Sequence, residues 1–359
     1  MANERIGYLD TLKGIGIIMV VFCHYCIGIK DTSILQNVIM TLCWSAVPCF
    51  MMVSGGLMLN SKTFSYKKWR TRLFRFIAVL FVWRIIYFLL GEIVLRSHFG
   101  ISELLSYLFL FQDFPGLDTD FMWYMMAFIA IQTLYPVFYM IFNDEEHGEK
   151  LSLLIMGLAY FSRVGIYSLN FIFERLSFHT GRAQFVFDRL GEGILLHEYS
   201  NMLVYFILGG FLLKYHDRIK EKLPSKILLP IAMIAVGTFG LMVIKHAVVG
   251  NFTWASTYLP QGYHWTSTII LSLGVYLLVS MNDIPGTKPV QYIGTLTMGI
   301  YYIHYITLIL ADYFLFGRIE RVLTFGYGLN TIKTVIWIAL CMGITLGLKK
   351  IPVVKRLVE

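Results

Sequence analysis

The chain has 359 residues, of which 57% are hydrophobic and only 14% are charged. A soluble domain of this length cannot bury so much apolar surface in one core, so the composition excludes an ordinary soluble protein and indicates a polytopic membrane protein. The net charge of +8 at pH 7 suits an anionic lipid surface or an anionic soluble substrate. Nothing in the sequence indicates a nucleic-acid partner.

Ten stretches are long and apolar enough to cross a lipid bilayer, which predicts an all-α bundle of about ten transmembrane helices in a single domain, residues 1–359. In chain order the predicted spans are 8–28, 36–59, 75–96, 122–142, 151–173, 198–215, 227–248, 263–281, 291–316 and 329–349. Residues 101–112 are too few to cross, and we expect an interfacial or re-entrant helix there.

Lysine and arginine are unequally divided between the two sides of the predicted bundle. Of the 30, eighteen lie on the side of the N-terminus, eight, including Lys245, lie on the other side, and four lie within spans. The positive-inside rule therefore predicts a multi-pass protein of a bacterial plasma membrane with both termini cytoplasmic. The first apolar run is longer than the core of a secretion signal, so we expect it to be retained.

The first predicted span carries ionisable residues, which are costly inside a bilayer and usually serve a function. At about 100° per residue, the step from Lys13 to His24 returns to within about 20° of the same helix face, and the rise of about 1.5 Å per residue separates them by about 16 Å. Asp10 lies three residues before Lys13 and can pair with it at the membrane edge. For His24 alone, polar packing between helices is the simpler explanation.

Further motifs follow this pair in a fixed order. They are Val47–Gly55, which ends in Ser54-Gly55; Arg72-Leu-Phe-Arg75; Phe121-Met-Trp-Tyr-Met-Met with Tyr135-Pro136; Tyr205-Phe-Ile-Leu-Gly209; and Thr297-Met-Gly-Ile-Tyr301-Tyr-Ile-His304. The ordered set resembles the membrane-bound acyltransferase-3 family, which consists of integral-membrane O-acyltransferases, over nearly the whole chain. The chain departs from the family pattern at Lys13, where many members carry arginine, and at Thr297, where the signature has serine.

The resemblance implies a transferase that moves an acyl group from cytoplasmic acyl-CoA to a hydroxyl of an envelope or exported glycan. Acetyl, carried by acetyl-CoA, is the expected acyl group. The alternative is a transporter that exports a glycan or a small molecule, because a bundle with buried charges also suits a carrier. The sequence has no detectable inverted repeats and no paired broken helices, which weighs against the carrier.

Under this resemblance, His24 is predicted to be the general base, because neutral imidazole has a pKa near ambient pH and can take the proton of a hydroxyl. Arg72 and Arg75, with Lys13, match the basic residues expected to hold the phosphates of the CoA donor, and Lys13 is also a candidate catalytic residue beside His24. Ser54 and Gly55 would permit close approach of the donor. Positive-inside topology and small-residue helix packing, respectively, explain the arginines and the glycine without a ligand.

The ninth predicted span carries Tyr301 and His304 on one face. If that helix begins near residue 291, His304 lies at a depth of about 20 Å, close to the depth of about 24 Å for His24 measured from residue 8. The two imidazoles are therefore predicted to line one cavity, with His304 or Tyr301 placed to polarise the thioester carbonyl. Structural hydrogen bonding by Tyr301 and His304 explains the pattern about as well.

Four further residues are candidates for substrate binding. His179 and Arg182 lie in the segment 174–197, whose mixture of charges and aromatic rings suits a sugar but is also common in solvated loops. Arg84 and Arg163 lie within spans, where ion pairing between helices is an equal explanation. No metal site is predicted, because adjacent residues in Cys23-His24-Tyr25-Cys26 diverge by about 100° on a helix.

Overall fold

A computed structural model describes residues 5–26, 34–96, 98–113, 119–176, 199–249, 262–282, 284, 287–311 and 326–359. Over these residues the regular secondary structure is helical throughout, which confirms the predicted all-α class. The helices are α1 (Gly7–Cys26), α2 (Ile34–Leu42), α3 (Ala46–Leu59), α4 (Tyr66–Leu90), α5 (Ile101–Phe109), α6 (Trp123–Phe142), α7 (Gly148–Tyr160), α8 (Ile166–Leu176), α9 (Ser200–Lys214), α10 (His216–Lys222), α11 (Leu228–Val249), α12 (Thr266–Ser280), α13 (Lys288–Gly294), α14 (Thr297–Ala311) and α15 (Gly326–Lys349).

Short irregular turns extend several of these helices. Turns of π-helix follow α4 at Gly91–Leu95 and join α7 to α8 at Phe161–Gly165. Turns of 3₁₀-helix lie at Cys43–Ser45, Asp120–Met122, Gly262–His264 and Val354–Leu357.

Within the described residues, seven helical stretches are long and apolar enough to cross a membrane, so the chain is a multi-pass membrane protein. They are Gly7–His24, Asn37–Leu59, Tyr66–Val94, Asp120–Phe142, Gly148–Phe173, Leu228–Ala247 and Thr331–Lys349, and the pair α13 and α14 makes an eighth if it is one broken span. The predicted number of about ten is not confirmed. The sixth and eighth predicted spans fall on α9 and α12, which have 15 residues each and reach only about 22 Å at 1.5 Å per residue.

The third and ninth predicted spans need correction. The third begins at Tyr66 instead of 75, because the Ser65 hydroxyl caps α4 by accepting the backbone N–H of Lys68 at 3.4 Å. The ninth is interrupted between Gly294 and Thr297, so the depth of about 20 Å assigned to His304 along one axis from residue 291 is wrong. At the break, the Thr295 hydroxyl donates to the Tyr292 carbonyl at 2.8 Å, which competes with helix continuation.

The chain divides into two compact units, one of Met1–Phe64 with Leu134–Thr295 and one of Ser65–Thr133 with Leu296–Glu359. In the first unit, glycines allow helices to approach closely. A Cβ atom on Gly14 of α1 would overlap the carbonyl oxygen of Val290 of α13, and one on Gly294 would overlap the carbonyl of Asp10. This contact between α1 and α13 fixes the part of α1 that carries the ionisable residues.

In the second unit, tryptophan side chains of α4 join distant parts of the sequence. The indole N–H of Trp69 donates to the Gln132 carbonyl at 2.7 Å, and that of Trp83 donates to the Leu357 carbonyl at 3.0 Å. The Trp83 ring also stacks on Tyr302 of α14, with 5.1 Å between ring centroids. These contacts hold α4 against α6, α14 and the C-terminal turn.

Candidate active site

The first helix carries a three-membered ion cluster at its beginning. The Lys13 ammonium lies 2.6 Å from one carboxylate oxygen of Asp10, and the Arg5 guanidinium contacts the other oxygen. The Asp10 side chain is only 8% exposed, whereas that of Lys13 is 27% exposed. The predicted pairing of Asp10 with Lys13 is therefore confirmed, and one carboxylate holds two cations at this end of α1.

His24 is half-buried in the last turn of α1. The predicted stripe of Lys13 and His24 requires a continuous helix between them, and α1 is continuous from Gly7 to Cys26. The separation of about 16 Å and the shared face then follow from regular helix geometry. The first unit thus carries a cation near one end of α1 and an imidazole near the other.

Two of the sequence motifs meet where α3 crosses α9. A Cβ atom on Gly55 of α3 would overlap the carbonyl oxygen of Phe206, and one on Gly209 of α9 would overlap the carbonyl oxygen of Met52. The two glycines thus allow reciprocal backbone contact between the helices. Helix packing accounts for Gly55, while the neighbouring Ser54 is only half-buried. The role of both residues in donor binding stays a prediction.

The beginning of α4 carries the densest group of basic side chains. The predicted span begins only at residue 75, but the structure makes Lys67 to Arg75 part of the first three turns of the helix. Lys68, Arg72 and Arg75 follow at i, i+4 and i+7, so they form one stripe along α4, which we call the basic stripe. All three are exposed, and none has a carboxylate partner among the described residues. This surface is therefore electropositive and open to an anion.

His304 is fully buried in the second unit and is held by its own helix. Its Nδ1 atom lies 2.6 Å from the carbonyl oxygen of Tyr301. The edge of the ring faces Phe121, with 5.2 Å between ring centroids, and Tyr305 lies 6.1 Å away. Since a carbonyl oxygen only accepts hydrogen bonds, Nδ1 carries the hydrogen, and the lone pair of the neutral ring is on Nε2.

The Tyr301 hydroxyl is used differently from the prediction. It donates its hydrogen to the Phe121 carbonyl at 2.8 Å. A hydroxyl has only one hydrogen to donate, so in this arrangement Tyr301 cannot also polarise a thioester carbonyl. The geometry makes Tyr301 a positioning residue for Phe121, and through its backbone carbonyl for His304.

Arg84, a candidate for substrate binding, is buried at 2% exposure and serves the local fold. Its guanidinium donates to the Tyr107 carbonyl, 3.0 Å from Nε, and to the Thr119 hydroxyl at 3.3 Å. The group also lies 3.9 Å above the Tyr107 ring and 3.9 Å from an Asp113 oxygen. It therefore fastens α5 and the segment after it to α4.

Of the other three candidates for substrate binding, the structure describes only Arg163. Arg163 is half-buried in the π turn Phe161–Gly165. His179 and Arg182 lie outside the described residues. The structure places Lys13 and His24 in the first unit and the arginines of α4, Tyr301 and His304 in the second. A cavity shared by His24 and His304 stays a prediction.

A buried lysine was missed by the sequence analysis, which counted Lys245 among the loop cations of the outer side. The structure places it within the span Leu228–Ala247 at 2% exposure, where its ammonium donates to the Asn37 side-chain oxygen at 2.9 Å. Lys245 therefore belongs with the cations inside spans and not with the loop cations. The sequence feature that could have revealed the burial of Lys245 is its position inside the predicted span 227–248.

Among the described side chains, no group of three or more His, Cys, Asp or Glu could hold a metal ion. A comparison with family models matches residues 6–348 to the acyltransferase-3 model, described as an acyltransferase domain. The chain belongs to this family. The resemblance drawn from the ordered motifs is thereby confirmed over nearly the whole chain. None of the curated proteins and none of the solved structures matches it.

Membership of the family makes the chain a membrane acyltransferase, which takes an acyl donor and a hydroxyl acceptor at a lipid bilayer. It favours the enzyme over the transporter. Among the described residues, the basic stripe is a candidate for binding an anionic donor, and His24 and His304 are candidates for contacts with the acceptor.

Proposed function

We propose that this acyltransferase is acyl-CoA-dependent and transfers an acyl group to a hydroxyl of an envelope or exported glycan. Acetyl is the acyl group that we expect. It would act in a bacterial plasma membrane with both termini cytoplasmic. The observation that carries the donor assignment is the basic stripe on α4, which is exposed and has no carboxylate partner in the described part of the chain.

The basic stripe suits the phosphates of CoA. Guanidinium groups bind phosphate oxygens through two parallel N–H bonds, and Arg72 and Arg75 lie one turn apart on the same face of α4. Lys13 is a weaker contributor to donor binding, because its ammonium is already paired with Asp10 at 2.6 Å. The donor nucleotide is therefore assigned mainly to α4.

The reaction needs one base and no covalent protein intermediate. His24 takes the proton of the acceptor hydroxyl as the hydroxyl oxygen bonds to the thioester carbonyl carbon. The carbon–sulfur bond then breaks, the CoA thiolate leaves, and the imidazolium returns its proton to the sulfur. His24 ends in its neutral form, ready for another turnover.

His304 receives a revised role in this proposal. Because its Nδ1–H is bonded to the Tyr301 carbonyl, the neutral ring carries its lone pair on Nε2, which has the chemistry to accept a hydrogen bond from a hydroxyl but cannot donate one to a developing oxyanion. We therefore assign His304 to holding the acceptor hydroxyl. Tyr301 positions the ring of His304.

Turnover by the purified protein tests the proposal. The protein in proteoliposomes should release free thiol from acetyl-CoA and esterify added N-acetylglucosamine oligomers, and both products should rise together. Failure to release thiol from acetyl-, propionyl- or longer acyl-CoA in the presence of the acceptors would refute the donor assignment.

The order of substrate binding separates direct transfer from an acyl-enzyme route. Direct transfer requires donor and acceptor to be bound together, so varying both should give intersecting double-reciprocal lines. Parallel lines with a trapped acyl-histidine would instead establish a ping-pong route.

A further inference from the structure

The first unit contains a groove of about 560 Å³ that the proposed reaction does not use. It lies between the π turn Phe161–Gly165, α8, the second half of α11 and the beginning of α12. The volume falls within the range of about 300–1,000 Å³ that is usual for small-ligand sites. Its walls are almost wholly apolar and include Phe161, Leu169, Ile172, Phe239 and Val243.

The walls of the groove belong to membrane spans. Phe161 lies in the span Gly148–Phe173 and Phe239 in the span Leu228–Ala247. These two rings are 52% and 68% exposed, so large apolar side chains stand open on both sides of the groove. In a membrane span such an exposed apolar surface meets lipid hydrocarbon.

Three hydroxyl groups line the groove among its apolar walls. The Thr266 hydroxyl oxygen lies 2.9 Å from the Tyr160 hydroxyl and 2.7 Å from the Ser168 hydroxyl, and the Thr266 backbone N–H donates to Ser168 at 3.2 Å. Three hydroxyls carry three hydrogens, and the two bonds among them use two. One hydroxyl hydrogen therefore has no acceptor among the described residues, and it calls for an oxygen that accepts a hydrogen bond.

We infer that the groove holds one acyl chain of a membrane phospholipid, with a glycerol-ester oxygen accepting the remaining hydrogen of the Tyr160, Ser168 and Thr266 hydroxyls. The apolar walls match the chain, and the hydroxyl cluster at the beginning of α12 matches the ester, which accepts hydrogen bonds but cannot donate them. The inference goes beyond the proposed function, since it does not depend on the identity of the acyl donor or acceptor.

Photo-crosslinking tests the inference directly. The full chain is placed in phosphatidylglycerol nanodiscs that contain a trace of phosphatidylglycerol with a diazirine in its acyl chain, irradiated and mapped by mass spectrometry. Adducts should accumulate on Leu169, Ile172 and Val243 several-fold above those on Ile231 and Val236, which are exposed on α11 outside the groove. Equal labelling inside and outside the groove would overturn the proposal.

A matched pair of variants adds a second readout. Val243→Trp fills the groove and should lower the adducts on Leu169 and Ile172 several-fold. Val236→Trp places the same ring one heptad away on the same helix and should leave those adducts unchanged. Loss of the adducts in Val236→Trp, or their persistence in folded Val243→Trp, would contradict the inference. If Val243→Trp fails to fold, the adduct map of the wild-type chain decides.

Discussion

The Nδ1 atom of His304 lies 2.6 Å from the carbonyl oxygen of Tyr301, one turn earlier in the same helix. This bond fixes the hydrogen on Nδ1 and leaves Nε2 with the lone pair. It also turns the ring toward Phe121, whose carbonyl is held in turn by the Tyr301 hydroxyl at 2.8 Å. The bond between His304 and Tyr301 therefore orients the buried imidazole as a hydrogen-bond acceptor.

Replacing His304 by asparagine or by glutamine distinguishes the role of Nδ1 from the role of Nε2. Asparagine keeps a short N–H donor for the Tyr301 carbonyl, and glutamine extends an acceptor to the depth of Nε2. We expect folded His304→Asn to raise the acceptor KM by about 2–12-fold, the value of one hydrogen bond, and His304→Gln to retain more of the affinity. The measurement is steady-state kinetics with the acceptor varied, alongside thermal unfolding.

Wild-type acceptor kinetics in His304→Asn would show that His304 serves only to anchor its own helix. The assignment of Nε2 to the acceptor would then be withdrawn.

The basic stripe gives a prediction about donor affinity. Arg72→Ala and Arg75→Ala should each raise the apparent donor KM by several-fold to about tenfold, because each removes a charge-assisted phosphate contact at an exposed site. The effect should shrink as salt is raised, since screening already weakens the contact in the wild-type chain. Arg70→Ala is the matched control, because Arg70 is exposed on the same helix but lies off the stripe. An equal loss in Arg70→Ala would indicate a diffuse charge effect instead of a binding stripe.

Arg84 is expected to act on stability. Arg84→Ala leaves the Tyr107 carbonyl without its buried charged donor and removes one of the two donors to the Thr119 hydroxyl oxygen, which should lower the free energy of unfolding by about 1.5–3 kcal/mol. Ile85→Ala, at an exposed neighbouring position on α4, should change it far less. Thermal unfolding in detergent compares the two. A raised acceptor KM in Arg84→Ala with unchanged stability would instead return Arg84 to the substrate site.

Much of this arrangement was predictable from the sequence because it depends on spacing along a helix. The bond between Asp10 and Lys13 follows from an i, i+3 step, and the common face of Lys13 and His24 follows from continuous α1. The ordered motifs were sufficient to identify the family. The ion pair and the shared face need only local helix geometry, which the sequence determines. The family follows from the order of the motifs along the chain.

Other features depend on which groups surround a side chain, and spacing does not contain that information. Hydropathy gave no sign of the break between Gly294 and Thr297 or of the π turn at Phe161–Gly165, because both lie within longer stretches that are apolar on average. The hydrogen bonds of Arg84 go to backbone and hydroxyl groups that a search for opposite charges does not find. The direction of the Tyr301 hydroxyl likewise requires coordinates.

The predicted orientation can be tested by labelling. In a background without the five cysteines of the chain, single cysteines at Ser65 and Thr180 should react differently with an impermeant reagent on intact cells. Thr180 should be labelled and Ser65 protected, because the charge asymmetry puts the beginning of α4 in the cytoplasm. Cell lysis, which should expose Ser65, is the control. Strong labelling of Ser65 on intact cells would reverse the topology.

The role of His24 is tested most directly by comparing wild type with His24→Ala in the transfer of labelled acetyl from acetyl-CoA to a hydroxyl acceptor. Removal of a general base should lower the transfer rate by about 10²–10⁴-fold, while thermal unfolding and acetyl-CoA binding stay near wild type because His24 contacts no donor phosphate in this account. Wild-type transfer by folded His24→Ala would contradict the assignment of His24 as the general base.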